Sequence, residues 1–136
     1  MDNNLNYTYF LIQEDGSLNA SYTQATVTIK PHMEALPQPS GNNQLVILVD
    51  LDLGSRTSCE ILMEGSPDGI TWYPETVATV SASAQVLSIA PYQMTVTGKY
   101  RIPVQIKDSH LRVSFKGTGG SATGSSLTMG AVVGVS

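Results

Sequence analysis

The chain has 136 residues, a formal net charge of −4 and a single cysteine, Cys59. That length favours one domain with a core of its own. Charged residues make up 13% of the sequence, about half of the roughly 25% found in ordinary domains. A surface with so few charges loses little hydration when it packs against another protein, so the composition favours an assembled protein.

The same composition excludes several classes of protein. No basic cluster occurs, which argues against nucleic-acid binding through phosphate contacts. One cysteine cannot form an intrachain disulfide. The start of the chain carries no basic and apolar signal segment, and no apolar run has the length of a membrane span. We therefore expect a protein that is made in a cytoplasm and contacts no membrane.

The first twenty residues differ in character from the rest. A polar start is followed by the aromatic run Tyr7-Thr8-Tyr9-Phe10-Leu11-Ile12. This run predicts either a first strand or an arm that adds to the sheet of a neighbouring subunit. We therefore divide the chain into an N-terminal strand or arm (1–20) and a β-sandwich domain (21–136), with Tyr7, Tyr9 and Phe10 as candidate interface residues.

Apolar and polar residues alternate along most of the remaining chain, which is typical of half-buried strands. The predicted strands lie at 25–29, 45–53, 59–63, 70–73, 86–89, 100–106, 111–115 and 127–135. The strand at 45–53 is apolar on both faces at its start, which predicts a central position in its sheet. Pro103 lies inside a strand pattern and predicts an edge strand or a bulge. No stretch shows the 3.6-residue period of a helix.

Turn signals separate these strands. Gly65-Ser66-Pro67-Asp68-Gly69 predicts a hairpin between 61–64 and 70–73, and Lys107-Asp108-Ser109-His110 predicts one between 100–106 and 111–115. Long connections at 31–43 and 91–98 favour Greek-key crossovers. The predicted fold is an all-β, jelly-roll-like antiparallel β-sandwich of about eight strands, with an immunoglobulin-like sandwich as the alternative.

Acidic residues are the first candidates for chemistry. Asp50 and Asp52 share one strand face, and Glu60 and Glu64 follow on the next strand. Such carboxylates are ligands for Ca²⁺, but no calcium-loop spacing is present, and we interpret them as solvated strand positions. Nothing places an acid and a nucleophile across a cleft, as glycoside hydrolysis requires.

The remaining reactive residues form no recognisable site either. His32 and His110 have no partner at metal-ligand spacing. Cys59 alternates with Ile61 and Met63, which predicts a buried, inert thiol. No nucleophile elbow or phosphate-binding loop occurs. We therefore predict no catalytic residue, no metal and no cofactor, and a protein that is not an enzyme.

Trp72 and Tyr73 are neighbours, and on a strand they would point to opposite faces. One is expected to enter the core and the other to be exposed. An exposed aromatic beside a turn is able to stack on a sugar or to anchor a protein interface. Both residues are therefore candidate interface residues.

Two segments carry a resemblance to a known family. Residues 64–72 (Glu-Gly-Ser-Pro-Asp-Gly-Ile-Thr-Trp) resemble a hairpin motif of phage structural proteins, Ser-x-Asp-Gly-x-Thr-Trp. Residues 99–102 with 110–120 look like the C-terminal hairpin of such domains. Together they cover roughly the second half of the chain, and with its small size, single predicted sandwich and lack of enzyme motifs the protein looks most like capsid decoration (cement) proteins.

This resemblance implies a homotrimer on the capsid surface that braces the major capsid protein. The N-terminal half carries no resemblance. Two alternatives stay open at this point: a tail, neck or fibre component, and a carbohydrate-binding module that uses Trp72 or Tyr73.

Overall fold

The computed structural model describes residues 6–30, 44–104 and 108–135. These residues form eleven strands and no helix, so none of them belongs to a helix that would cross a membrane. The strands are β1 (Asn6–Gly16), β2 (Thr23–Gln24), β3 (Gln44–Asp52), β4 (Ser58–Ser66), β5 (Tyr73–Pro74), β6 (Thr76–Ser81), β7 (Ala84–Ile89), β8 (Tyr92–Met94), β9 (Gly98–Val104), β10 (His110–Thr118) and β11 (Ser126–Val135).

Four of these strands form an antiparallel sheet, sheet A, in the order β1-β11-β3-β9. Leu45, Ile47, Val49 and Leu51 of β3 are buried, and the residues between them face outward because side chains alternate along a strand. β3 lies between β11 and β9, which confirms the predicted central strand. β9 is an edge strand, as Pro103 predicted.

A second antiparallel sheet, sheet B, is built around β4. One edge of β4 pairs with β10 along its whole length, from Ser58 to Ser66. The other edge is shared, because β8 pairs with the start of β4 and β5 with its end. The short β2 completes the sheet beside β10.

The core lies between the two sheets. Sheet A contributes alternate residues of β3 and β11, and sheet B contributes Ile61, Met63, Val113 and Phe115, all of which are buried. Full burial of one such side chain is worth about 1.5–3 kcal/mol. The described chain is therefore an all-β protein whose antiparallel sheets are consistent with a β-sandwich.

Successive strands often lie in different sheets, and this overturns one predicted hairpin. β9 belongs to sheet A and β10 to sheet B, so the prediction that 100–106 pairs with 111–115 is wrong. Each strand finds its partner elsewhere: β9 pairs with β3, and β10 pairs with β4 and β2. β9 ends at Val104 in sheet A and β10 begins at His110 in sheet B, so the chain changes sheets between these two strands.

The other predicted hairpin forms only at its base. β4 meets β5 through the pairs Glu64↔Pro74 and Gly65↔Tyr73, while Ile70, Thr71 and Trp72 lie outside any strand. Residues 25–29 follow sheet B irregularly, with one bridge between Ile29 and Leu111. The expected crossover at 31–43 lies outside the described residues, and the jelly-roll path stays a prediction.

Candidate functional site

The candidate residues of β1 lie on sheet A, where β1 pairs with β11 of the same chain. Tyr9 is 57% exposed, and its ring covers Gly130, at which a Cβ atom would collide with it. Phe10 points the other way and packs against the core. Tyr7 pairs through its backbone with Gly134. β1 is thus a strand of its own sandwich, and its addition to a neighbour's sheet stays a prediction.

A groove of about 450 Å³ lies on the outer face of sheet A. Tyr9, Leu48 and Gly130 form its uncharged part. The charged lining residues lie on β9 and on β3 beside it, where the ammonium of Lys99 is 3.2 Å from a carboxylate oxygen of Asp50. This combination of an apolar, aromatic part with charges to one side is typical of a protein-binding surface.

Tyr73 begins β5, which pairs with the end of β4 in sheet B, and Trp72 directly precedes it. The guanidinium carbon of Arg112 is 4.6 Å from the centroid of the Trp72 ring, and Arg112 also donates from Nε to Glu64 at 2.8 Å. One face of Trp72 is therefore already occupied by a cation. Tyr73 is 60% exposed. The aromatic available to a partner at this position is Tyr73.

The turn before Trp72 is held by its own side chains. Ser66 Oγ accepts from the backbone N–H of Gly69 at 2.8 Å, and Asp68 accepts from the N–H groups of Ile70 and Thr71 at 2.8 and 2.9 Å. The hydrogen bonds that Asp68 accepts lower the pKa of its carboxyl group, and the bond from Thr71 contributes most. Gly69 has a φ of +77°, which favours glycine. The Ser, Asp and Gly of the motif are explained by the turn itself.

The acidic residues are engaged in the fold. Asp52 accepts from the N–H of Gly54 at 3.0 Å, and Glu60 accepts from the Tyr22 hydroxyl at 3.0 Å. Burial, reinforced by Glu60, raises the pKa of Tyr22 to about 12. The described part of the chain contains no group of three or more His, Cys, Asp or Glu residues that could hold a metal ion.

The two remaining reactive candidates are Cys59 and His110. The Cys59 side chain is fully buried, and its burial raises the pKa of the thiol to about 12. It is therefore protonated at neutral pH and a poor nucleophile. The ring of His110 lies 3.0 Å from the Ser109 hydroxyl and edge-on to Trp72. His32 lies outside the described residues.

The structure contains an exposed hairpin that was not predicted from the sequence. β6 and β7 form a hairpin (Thr76–Ile89, here the projecting hairpin) that pairs with no other described strand. All twelve residues of its two strands are exposed. Its five large aliphatic residues have exposed fractions between 45% and 78%; they are Val77, Val80, Val86, Leu87 and Ile89.

The projecting hairpin carries no charge on either face. The sequence from Thr76 to Gly98 contains no Asp, Glu, Lys or Arg, and this run is the signal by which it could have been found. A two-stranded ribbon alone in water is marginally stable, and exposed strands are usually protected by charges or proline. An uncharged ribbon with apolar residues on both faces therefore indicates a surface that a partner covers.

The five predicted interface residues do not form one site. Tyr7, Tyr9 and Phe10 belong to sheet A, whereas Trp72 and Tyr73 lie beside sheet B. Comparison of the chain with protein families, with curated proteins and with solved structures finds no match. The interaction surfaces therefore have to be interpreted from their own chemistry.

Proposed function

We propose that this protein is a non-enzymatic structural protein that works by burying uncharged β surface against other proteins. The projecting hairpin carries this proposal, because its apolar residues have no cover within the described chain. A typical monomer shows a largest apolar patch of about 300–600 Å², and patches of that size often bind partners. The low charge of the whole chain supports the same role.

Within this class we propose a capsid decoration protein on a phage shell. The partner would be the major capsid protein, and the chain would act there as a homotrimer. The resemblance of residues 64–72 and of the 99–120 region to phage structural proteins supports this choice. Binding to the assembled shell, and not to its unfolded parts, would stabilise the shell by mass action.

Shells that lack the protein provide the test. We expect the purified chain to co-sediment with them and to raise the temperature at which they break open. In the particle, the backbone amides of the projecting hairpin should exchange hydrogen far more slowly than in the dilute free chain. Shells that neither bind the protein nor gain heat resistance would contradict the decoration role.

A tail, neck or fibre component would use the same kind of surface. Gold labelling of the protein on intact particles distinguishes this role, because label confined to the tail vertex would replace the decoration assignment. A carbohydrate-binding module is a weaker candidate, because Arg112 occupies one face of Trp72. Glycan binding that is lost in Tyr73→Ala would favour it.

A further inference from the structure

The two strands of the projecting hairpin present faces of different character. Directly paired residues share a face. One face of the hairpin therefore carries Val80, Leu87, Ile89 and Ala78, together with Gln85 and Thr76. The other face carries Val77 and Val86 among Thr and Ser residues. The first face holds the three most exposed aliphatic side chains of the hairpin. We call it the Leu87 face, and it is the face with most to gain from a partner.

The groove on sheet A has the complementary character. Its uncharged part is formed by Tyr9, Leu48 and the Cβ-free surface of Gly130, and Leu11, which pairs with Gly130, is also exposed. A groove of about 450 Å³ has the size of a pocket that takes several apolar groups. The Leu87 face carries no charge, so it can pack on the part of the groove formed by Tyr9, Leu48 and Gly130 without bringing an ion of its own that would have to be desolvated.

Within one chain these two surfaces do not cover each other, because Tyr9, Leu87 and Val80 are all exposed. We propose that the Leu87 face of one copy lies in the sheet A groove of a second copy. This inference rests on the proposed function and names a partner for its surface. The contact joins two different surfaces, so it is head-to-tail, and repeated copies close into a ring if the rotation permits.

The area supports a ring over a single pair. At their exposures, the three aliphatic side chains of the Leu87 face leave on the order of 350 Å² of apolar surface, within the range of a large patch. With an equal area covered on the second copy, one contact would bury about 700 Å² in total, below the roughly 1,200–2,000 Å² of a stable interface. In a ring each copy gives one hairpin and receives another, which doubles the area that holds it.

The test is the solution mass of variants, alone and mixed, without shells. The wild type should be an oligomer, with a mass that is a whole-number multiple, greater than one, of the 14.5 kDa of one chain. Leu87→Asp removes the hairpin contact and Tyr9→Glu removes the groove contact, and each variant alone should be a monomer. At high protein concentration an equimolar mixture should contain a weakly associated dimer that neither variant forms alone, because the hairpin of the Tyr9→Glu copy still fits the groove of the Leu87→Asp copy.

Two control variants receive the same type of charge. Val86→Asp places it on the opposite face of the same hairpin, and Ile70→Asp places it on an exposed loop residue; both should keep the wild-type mass. Thermal unfolding of every variant verifies the fold, and Leu48→Glu replaces Tyr9→Glu if β1 is destabilised. A monomeric wild type, a mixture that associates no more than either variant alone at high protein concentration, or equal loss in Val86→Asp would overturn the inference.

Adding shells separates this inference from the proposed function. An oligomer that dissociates in Leu87→Asp but binds no shell would leave the head-to-tail contact standing and refute the decoration role. A monomeric wild type whose shell binding is lost in Leu87→Asp would refute the head-to-tail contact and leave the decoration role standing, because the hairpin would then bind the capsid protein.

Discussion

Cys59 shows how one buried group links stability to pH. Its thiol is buried on β4 and has a pKa of about 12, whereas the thiol of an unfolded chain has a pKa of about 8.5. Because the folded pKa is the higher one, the stabilisation is complete below about pH 8.5 and is lost as pH rises toward 12. The loss follows a slope of about 1.4 kcal/mol per pH unit.

Replacement of Cys59 by Ala should remove this slope. Between about pH 7.5 and pH 10.5, we expect the free energy of unfolding of the wild type to fall by about 2–3 kcal/mol more than that of Cys59→Ala. Urea unfolding at both pH values measures this, and Tyr22 and the lysines cancel because both proteins contain them. Equal losses in the two proteins would mean that the folded thiol ionises normally.

Gly54 and Gly124 make a second test at the scale of single residues. Both have positive φ, +55° and +73°, so alanine at either position costs about 1–2 kcal/mol of backbone strain. A Cβ on Gly54 would also overlap the backbone of Gly124 and Ser125, whereas a Cβ on Gly124 meets only the Cα of Gly54 at 3.8 Å. The turn after β3 therefore approaches the loop before β11 too closely for a side chain.

We expect Gly54→Ala to destabilise the fold by about 3 kcal/mol or more and Gly124→Ala by about 1 kcal/mol. The difference between them measures the close approach, because the strain term is common to both. Chemical denaturation of the two variants gives both values. Similar losses would show that the two loops separate to accept the new methyl group.

At the scale of elements, the projecting hairpin should be separable from the sandwich. The N–H of Ala90 donates to the carbonyl of Glu75 at 2.9 Å, so the two ends of the hairpin are already adjacent. An Asn-Gly turn joining Glu75 to Ala90 therefore fits as a two-residue loop. No residue of β6 or β7 belongs to the described hydrophobic core.

Replacement of Thr76–Ile89 by Asn-Gly should change the free energy of unfolding by less than about 1 kcal/mol, as for other surface changes. The same variant should be monomeric, because it has no hairpin to place in the groove of a second copy of itself. Denaturant unfolding and light scattering measure the two effects on one sample. A loss of several kcal/mol would mean that the hairpin folds as part of the sandwich.

The sequence predicted the strands better than their partners. Alternation located β3, β4, β10 and β11 because alternate apolar side chains of each strand enter the core, as Ile61 and Met63 of β4 do. The predicted pairing of β9 with β10 was wrong, because a turn signal does not say whether the chain stays in one sheet or crosses to the other. The projecting hairpin was missed because Val, Thr, Ala and Ser suit a covered strand as well as an exposed one.

The candidate site was predicted in the same uneven way. Tyr9 and Tyr73 are exposed, as an interface residue must be. The groove could not have been predicted, because Leu48 and Gly130 are 82 positions apart and meet only through the register of β3 and β11. Burial and pairing across long sequence separations are properties of the whole fold and not of local patterns.

At the scale of the whole molecule, the low charge predicts how assembly responds to salt. The Leu87 face carries no charge, and neither do Tyr9, Leu48 and Gly130 of the groove, whereas each copy carries a net charge of −4. Salt from about 0.1 M to about 1 M shortens the screening length from about 10 Å to about 3 Å. Screening therefore reduces repulsion between copies and weakens no ion pair of the Leu87 face, because that face contains no ion.

We expect the dissociation constant of the wild-type oligomer to fall or to change less than about twofold as NaCl rises over this range. Sodium sulfate should lower it further, because excluded salts strengthen the burial of apolar surface. Sedimentation at several protein concentrations gives the constant in each salt, with Leu87→Asp as the monomeric reference. A tenfold weakening in NaCl would instead assign the contact to Lys99, Arg101 and Asp50, which line the charged part of the groove, because salt screens ion pairs.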